Sequence, residues 1–291
     1  KGSETRASKW RRLARKVIIM NHIKGGSDSK KSEDVTVPVI PAGKPMNRRG
    51  SWSNHFLTPG VDFDSVPFLI LGLKKGDKSY RPNVLTPALM GVLQNELPLA
   101  HRCDNFFLKF SAVRDGFSFA MLEARILMIP NTIIAIETLS GEVFGCFMTK
   151  SWKRTNRYEM SGESFLWRMK QPRIVLVEEI DSEEFQDTSL LEETVKREED
   201  IEVYRWTGET EECQLFGDDR LAAGGGMVNN QGGFGIILEG DLSSGTSAPC
   251  LAYGNPCLVS NPSGRFEVAN FEVWTMTPYI LQHDAEKAEK S

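Results

Sequence analysis

Apolar and polar residues recur with two different periods along this chain, and its first quarter sustains neither. Residues 1–76 are interrupted by Gly25-Gly26, Pro38, Pro41, Pro45, Pro59 and Pro67, the composition of a linker-like arm. Within it Trp10, Leu13, Val17 and Met20 fall at helical spacing, with Arg11, Arg12, Arg15 and Lys16 largely on other faces, so residues 10–23 predict a short helix. From residue 85 the pattern becomes dense. Thr86-Pro87 supplies an N-cap and a first-turn proline, followed by Leu89, Met90 and Leu93 on one face, which predicts a helix over 86–95. A second helix is expected over 118–128, where Phe119, Leu122, Ile126 and Ile129 repeat at three and four before Pro130 stops it.

The period then drops to two. Residues 132–137 (TIIAIE) and 142–148 (EVFGCFM) are β-branched and aromatic runs joined by a turn with Gly141 at the left-handed position, a hairpin signal. Further strands are expected at 164–169, 174–177, 202–206, 213–216, 233–238 and 266–274. Helices leading into many antiparallel strands, without βαβ alternation, predict an α+β domain: a two-sheet antiparallel β-sandwich flanked by helices over residues 77–280, with a polar tail at 281–291.

Charge sharpens this division. The 291 residues are 40% apolar and 25% charged, ordinary proportions that leave room for a real core, and the formal net charge is only −4. That sum conceals eight Lys/Arg against one acid in residues 1–24, and twelve Asp/Glu against two bases in residues 174–202. The arm reads as a solvated basic tail, or as an amphipathic segment offering Trp10, Arg11, Arg12, Arg15 and Lys16 to an anionic membrane or an acidic partner; nucleic acid is not the expected partner. The acidic stretch 178–200 is too polar to pack and reads as a surface insertion, disordered or loosely helical. Five cysteines at irregular spacing fit reduced thiols and a cytoplasmic setting better than a disulfide framework. No run approaches 18 apolar residues, and a first residue of Lys1 rather than Met leads us to expect a processed chain or a fragment.

Candidate chemistry is sparse. The glycines of residues 224–235 lack the strand–loop–helix order and the Lys-Ser/Thr of a phosphate cradle, so close backbone approach explains them better. Glu163 and Glu272 could in principle form an acid–base pair or touch a partner, but carboxylates near strand ends more often accept backbone N–H groups. His22, His55, His101 and His283 lie apart, no Cys or His pair has zinc spacing, and Cys250 and Cys257 fit buried small residues. Ser164 has no nucleophile-elbow context. Neither a metal nor a cofactor is expected. Trp152, Trp167, Trp206 and Trp274 suit core and sheet-edge roles. Even so, Trp152 with Lys153, Arg154 and Arg157, in a loop after a strand, is the best candidate for an exposed contact patch.

Seven segments occur in an order that resembles the TLDc family: FFLKFSAVRDGFSFAML (106–122), the first of them, read as the opening to a helix and the turn before it; GEVFGCFMTKSWK (141–153); SGESFLWRM (161–169); VYRWTGET (203–210); LAAGGG with GGFGIILEGDLSSGTSAPC (221–250); YGNPCL (253–258); and FEVANFEVW (266–274). The resemblance implies a helix-flanked β-sandwich of cytosolic proteins linked to oxidative-stress resistance, several of which bind the V-type proton-pumping ATPase. It brings no catalytic constellation and no cofactor. Two departures stand out: about thirty acidic-rich residues between the third and fourth segments, and Met227-Val228-Asn229-Asn230-Gln231 interrupting the glycines. The resulting expectation is a non-enzymatic regulator. One rival is a redox-active or enzymatic stress protein, for which Cys213 is the thiol expected to be exposed, though Glu211 and Glu212 beside it would dull it. A second rival is a membrane-surface adaptor acting through the basic arm.

Overall fold

A computed structural model describes residues 68–73, 84–173, 188–228 and 231–288. Residues 1–67 of the arm with its basic contact residues, His22 and His55, and the strand expected at 174–177 lie outside the described residues. Two helices and a β hairpin begin where the sequence places them. Helix α1 (Pro87–Glu96) is capped by Thr86, whose hydroxyl accepts from Leu89 N at 3.3 Å, and it buries Leu89, Met90 and Leu93. Complete burial of each such side chain contributes roughly 1.5–3 kcal/mol. Strand β2 (Asn105–Ser111) runs into α2 (Ala112–Asp115) and α3 (Phe119–Ile126), the latter capped by Ser118. Helix α3 ends two residues earlier than the periodicity predicts, because Met128 adopts φ 64° and turns the chain before Pro130 is reached.

Strands β3 (Thr132–Thr138) and β4 (Val143–Met148) form the expected hairpin, with Gly141 at φ 84°. They continue into β5 (Phe165–Met169) and, after α4 (Thr188–Glu199), into β6 (Ile201–Arg205). A second layer is built from β7 (Gln214–Phe216), β8 (Arg220–Ala223), β11 (Ile236–Glu239) and β12 (Ser244–Thr246), while β9 (Met227–Val228) and β10 (Gln231–Gly232) make a separate ribbon. The long strand β13 (Arg265–Thr277) belongs to both layers. Its first three residues pair with β12 and the rest pair with β2 and β3, with a register shift between Val268 and Asn270. The hydrogen-bonded order is β6-β5-β4-β3-β13-β12-β11-β8-β7, with β2 and the parallel β1 (Ile70–Leu71) branching from β13. Helix α5 (Gln282–Ala288) closes the described chain.

The first layer is buried on both faces. Ile133, Ala135, Phe147, Phe165, Trp167 and Trp274 pack with α1, whereas Ile134, Ile136, Phe144, Cys146, Leu166 and Val273 pack between the layers against Leu221, Ala223, Ile236 and Leu238. Alternate side chains feed two cores, so β3 and β4 read as unbroken apolar runs. Gly145 is fixed by this packing: a Cβ there would lie 1.8 Å from the Ile134 carbonyl oxygen. The predicted helix-flanked two-sheet sandwich is therefore present, with the layers joined through β13.

Candidate protein-binding surface

The strand ends at Met148, Phe165 and Arg205 put two connections, 149–164 and the one after Arg205, at one end of the first layer. The connection 149–164 is pinned at its base by buried Ser161, whose Oγ accepts from Thr149 N at 2.9 Å and Lys150 N at 3.3 Å. Trp152 was expected to be exposed there; it is fully buried, donating its indole N–H to Thr132 Oγ1 at 2.8 Å. A large ring with one polar handle gains more from the core than from solvent once that handle has a partner. Trp152 thus anchors the connection and leaves contact to its neighbours. Lys153, Arg154 and Arg157 are exposed. Arg154 donates to Glu123 Oε1 at 3.0 Å on α3 and to Asp218 Oδ1 at 2.9 Å, and these hydrogen bonds and charges hold its guanidinium above its ordinary value. Asn156, at φ 52°, completes the turn by exchanging hydrogen bonds of 3.0 Å with Asp218.

Family segments that are distant in sequence meet here. Thr207 N donates to Ala252 O at 2.9 Å, Ala252 N to Gly225 O at 3.0 Å, and Glu159 N to Gln214 O at 2.8 Å. Tyr158 stacks on Phe234 with centroids 6.2 Å apart, and Trp206 donates its indole N–H to Thr210 O at 2.8 Å. The glycines have the packing role expected of them: a Cβ at Gly225 would lie 2.8 Å from the Tyr158 hydroxyl, and one at Gly224 would lie 2.6 Å from Cys250 Sγ. The exposed tip of this junction carries Lys153, Arg157, Glu163 and Glu209. Glu163 makes no hydrogen bond or ion pair among the described residues, so its carboxylate faces outward rather than bracing a turn.

Glu272 is not its counterpart. It lies in the middle of β13, fully buried, accepting from Leu85 N at 3.0 Å and Trp274 Nε1 at 3.1 Å. Burial removes it from any partner surface, a correction to its candidacy as a contact residue, while its acceptance of a backbone N–H matches the structural reading. It belongs to a polar hub. Arg173 reaches Glu198 Oε1 at 3.0 Å, Glu137 Oε1 at 3.4 Å and the Val84 carbonyl, while Thr86 Oγ1 donates to Glu198 Oε2 at 2.5 Å. Burial pushes the Glu137 carboxyl up, against the pull of Arg173. Burial also works against the charge on Arg173, but Glu137 and Glu198 outweigh it and hold the guanidinium high. Glu198 comes from α4, so the acidic stretch is not wholly surface: its described part is helical, and one of its carboxylates is built into the interior. Nothing local in the sequence marks Glu198 among its neighbours, because its partners lie on β3, at Arg173 and at the α1 cap.

The thiols also differ from expectation. Cys213 is buried, with its thiol pushed up by desolvation, and Cys146 behaves likewise. Burial raises Cys250 to about 11, while Cys103 is the exposed one. Acids precede Cys213, but Cys213 itself sits just before β7 and is buried in the core. Ser164 donates into a buried network with the Ser161 carbonyl and Tyr253 Oη. Among the described residues no group of three or more His, Cys, Asp or Glu could hold a metal, and no helix is long and apolar enough to cross a membrane.

A two-layer sandwich that carries the seven segments in order defines a class, and residues 78–277 match the TLDc domain family. The chain belongs to that family. It is similar to "Oxidation resistance protein 1" of Saccharomyces cerevisiae, 27% identical over 145 residues that cover 49% of this chain and 51% of that protein. It is also similar to the Xenopus tropicalis protein of the same name, 26% identical over 205 residues covering 68% of this chain and 20% of that protein. The mouse "Nuclear receptor coactivator 7" is 25% identical over 170 residues, 58% of this chain and 14% of its own length. The chain thus spans between a fifth and about half of the first relatives it matches.

Proposed function

We propose that this chain is a non-enzymatic recognition module that binds and regulates a protein assembly and contributes to resistance against oxidative stress. The observation that carries the reading is the convergence of four family segments on one end of the sandwich. There the interior is closed by Trp152, Tyr158, Trp206 and Tyr253, while Lys153, Arg157 and Glu163 remain outside. Aromatic groups locked beneath a mixed-charge tip make a preorganised contact surface, which lowers the ordering cost of binding. The family resemblance makes the V-type proton-pumping ATPase the assembly to test, in a cytoplasmic setting peripheral to endomembranes, and the names of the relatives support the oxidative-stress part.

Purified chain carrying Lys153→Glu and Arg157→Glu, or Glu163→Lys, is expected to recover less V-type ATPase in a pull-down than the unaltered chain. No recovery by the unaltered chain, while another TLDc protein binds in parallel, would refute the assignment of that partner. The redox-active alternative is disfavoured by burial of Cys146, Cys213 and Cys250, since attack on an oxidant needs an accessible thiolate. Replacing all five cysteines should leave peroxide protection intact; its loss with fold and partner binding preserved would restore that alternative.

A further inference from the structure

Six of the eight exposed large apolar side chains among the described residues stand at one end of the first layer: Leu99, Met128, Met160, Tyr279, Ile280 and Leu281. The topology puts them there. Asn105 pairs with Thr277, Thr275 with Thr132, Thr132 with Met148, and Phe147 with Phe165, so the segments 99–104, 128–131, 149–164 and 278–281 leave the same edge side by side. They are also bonded to one another. Asn105 Nδ2 donates to Tyr279 O at 2.8 Å, Met276 N to Asn131 O at 3.1 Å, Thr275 Oγ1 to Pro130 O at 3.2 Å, and Met128 N to Trp152 O at 2.9 Å. The bases of these segments are therefore tied together at one rim. Leu99 is 81% exposed, Met128 65%, Ile280 51% and Leu281 56%, a desolvation opportunity that a monomer in water leaves unused.

Charge is distributed unevenly along that rim. Arg102, Lys150 and Lys153 are exposed beside the apolar tips on the β2–β3–β4 side and make no ion pair among the described residues, whereas the exposed acids Glu163, Glu209 and Glu211 lie toward β5 and β6. Helix α5 does not shield the tips: after Leu281 it turns back along β1 and β2, where Ala285 is buried with Leu71 and Phe107.

We propose that this rim is a membrane-docking face for anionic lipid, with Leu99, Met128, Ile280 and Leu281 entering the interface and Arg102, Lys150 and Lys153 lying against headgroups. Side chains standing on separate connections suit a fluid interface that closes around each one, whereas a folded partner would have to supply a matching pocket for every tip. Tyr279, with an apolar ring and a polar tip, suits the depth between the two. Cations on the same side select anionic over neutral lipid. The rim shares Lys153 and the connection 149–164 with the protein-contact tip proposed above, so its test contains no other protein and its rim variants change only Ile280, Leu281, Arg102 and Lys150, which that tip does not use.

The test is flotation of the full chain with vesicles of phosphatidylcholine alone, or of phosphatidylcholine with phosphatidylserine. Preference for the anionic vesicles that fades with salt is expected. Ile280→Asp with Leu281→Asp should weaken binding about tenfold or more, since two apolar groups are withdrawn from the interface. Arg102→Glu with Lys150→Glu should weaken it in the same direction. These positions are exposed, and unchanged circular dichroism and melting will establish that the variants fold. A third variant, Arg11→Glu with Arg12→Glu and Arg15→Glu, separates the arm from the rim. Flotation of both rim variants at the unaltered level overturns the proposal, whatever the arm variant does. So does absence of flotation by the unaltered chain; if the rim variants then abolish self-association or capture of a purified protein, the rim is a protein-binding face instead.

Discussion

Arg173 and Arg154 make the same chemical pairing in opposite surroundings. Each guanidinium bridges two carboxylates from elements distant in sequence, Glu137 and Glu198 for Arg173, Glu123 and Asp218 for Arg154. The Arg173 side chain is 11% exposed and that of Glu198 6%, whereas Arg154 is 45% exposed and Asp218 66%. Coulombic attraction is screened at the second site and the side chains lose entropy in holding still; at the first, removing one partner strands the other's charge without water. Similar distances therefore mean different things: the inner pair fixes where α4 and α1 meet the sheet, and the outer pair orients a surface turn.

Arg173→Ala should be the most damaging of the changes that separate these sites. Destabilisation of about 3–5 kcal/mol is expected from loss of one member of a buried ion pair, read as a lowered urea midpoint with an unchanged slope. A loss as small as that of a surface substitution would mean that the hub is hydrated and that α4 is not docked through it. Trp152→Phe removes the indole donor to Thr132 together with part of a buried ring, which leaves a hydroxyl short of a partner beside a cavity and should cost at least about 1–3 kcal/mol. If stability is unaffected, the connection 149–164 is not anchored by that bond.

Glu142 lies between these extremes, half-buried beside the β3–β4 turn. Burial raises its carboxyl, but hydrogen bonds from Ser260 N at 2.6 Å, from the Ser260 hydroxyl and from Ser140 Oγ at 2.9 Å outweigh burial and hold it below the ordinary carboxylate value. A carboxylate lowered on folding stabilises the fold above its unfolded value and loses that contribution as pH falls through the lowered one. Glu142→Gln should therefore be less stable than the unaltered chain at neutral pH, with the gap closing in acid; a gap independent of pH would assign the effect to packing. Smallest of all, Arg154→Ala should leave the urea midpoint unchanged while altering partner capture. A large drop in stability would show the outer pair to be structural after all.

The helix starts at Thr86 and Ser118, the β3–β4 hairpin with Gly141, and the sandwich class were all legible, because caps, turn glycines and apolar period are local properties. Strand β2 was less so: it falls within the segment read as an opening to a helix, and its continuous burial hides the alternation. Strands β8 and β12 escaped notice since three or four residues rich in Ala, Gly and Ser hold strand geometry only when neighbours on both sides supply the ladder. The candidate surface was half legible. Lys153, Arg154 and Arg157 are outside as expected and Glu163 is outside rather than bracing a turn, but Trp152 and Glu272 are inside, because the direction of a side chain depends on register and on a partner such as Thr132 or Leu85 that no local pattern specifies.

What the amino-acid order determined by itself was the inventory: a basic arm, a dense apolar domain, an acidic stretch and the family's seven segments. Tertiary structure alone decided which charges are interior and which are displayed. It drew Glu198 out of an acidic run into the hub with Arg173, turned Cys213 inward, and lined up Leu99, Met128 and Ile280 on one rim. Those outcomes depend on pairings across many residues, and the free energy of a charge or an apolar group follows from its surroundings rather than from its place in the chain.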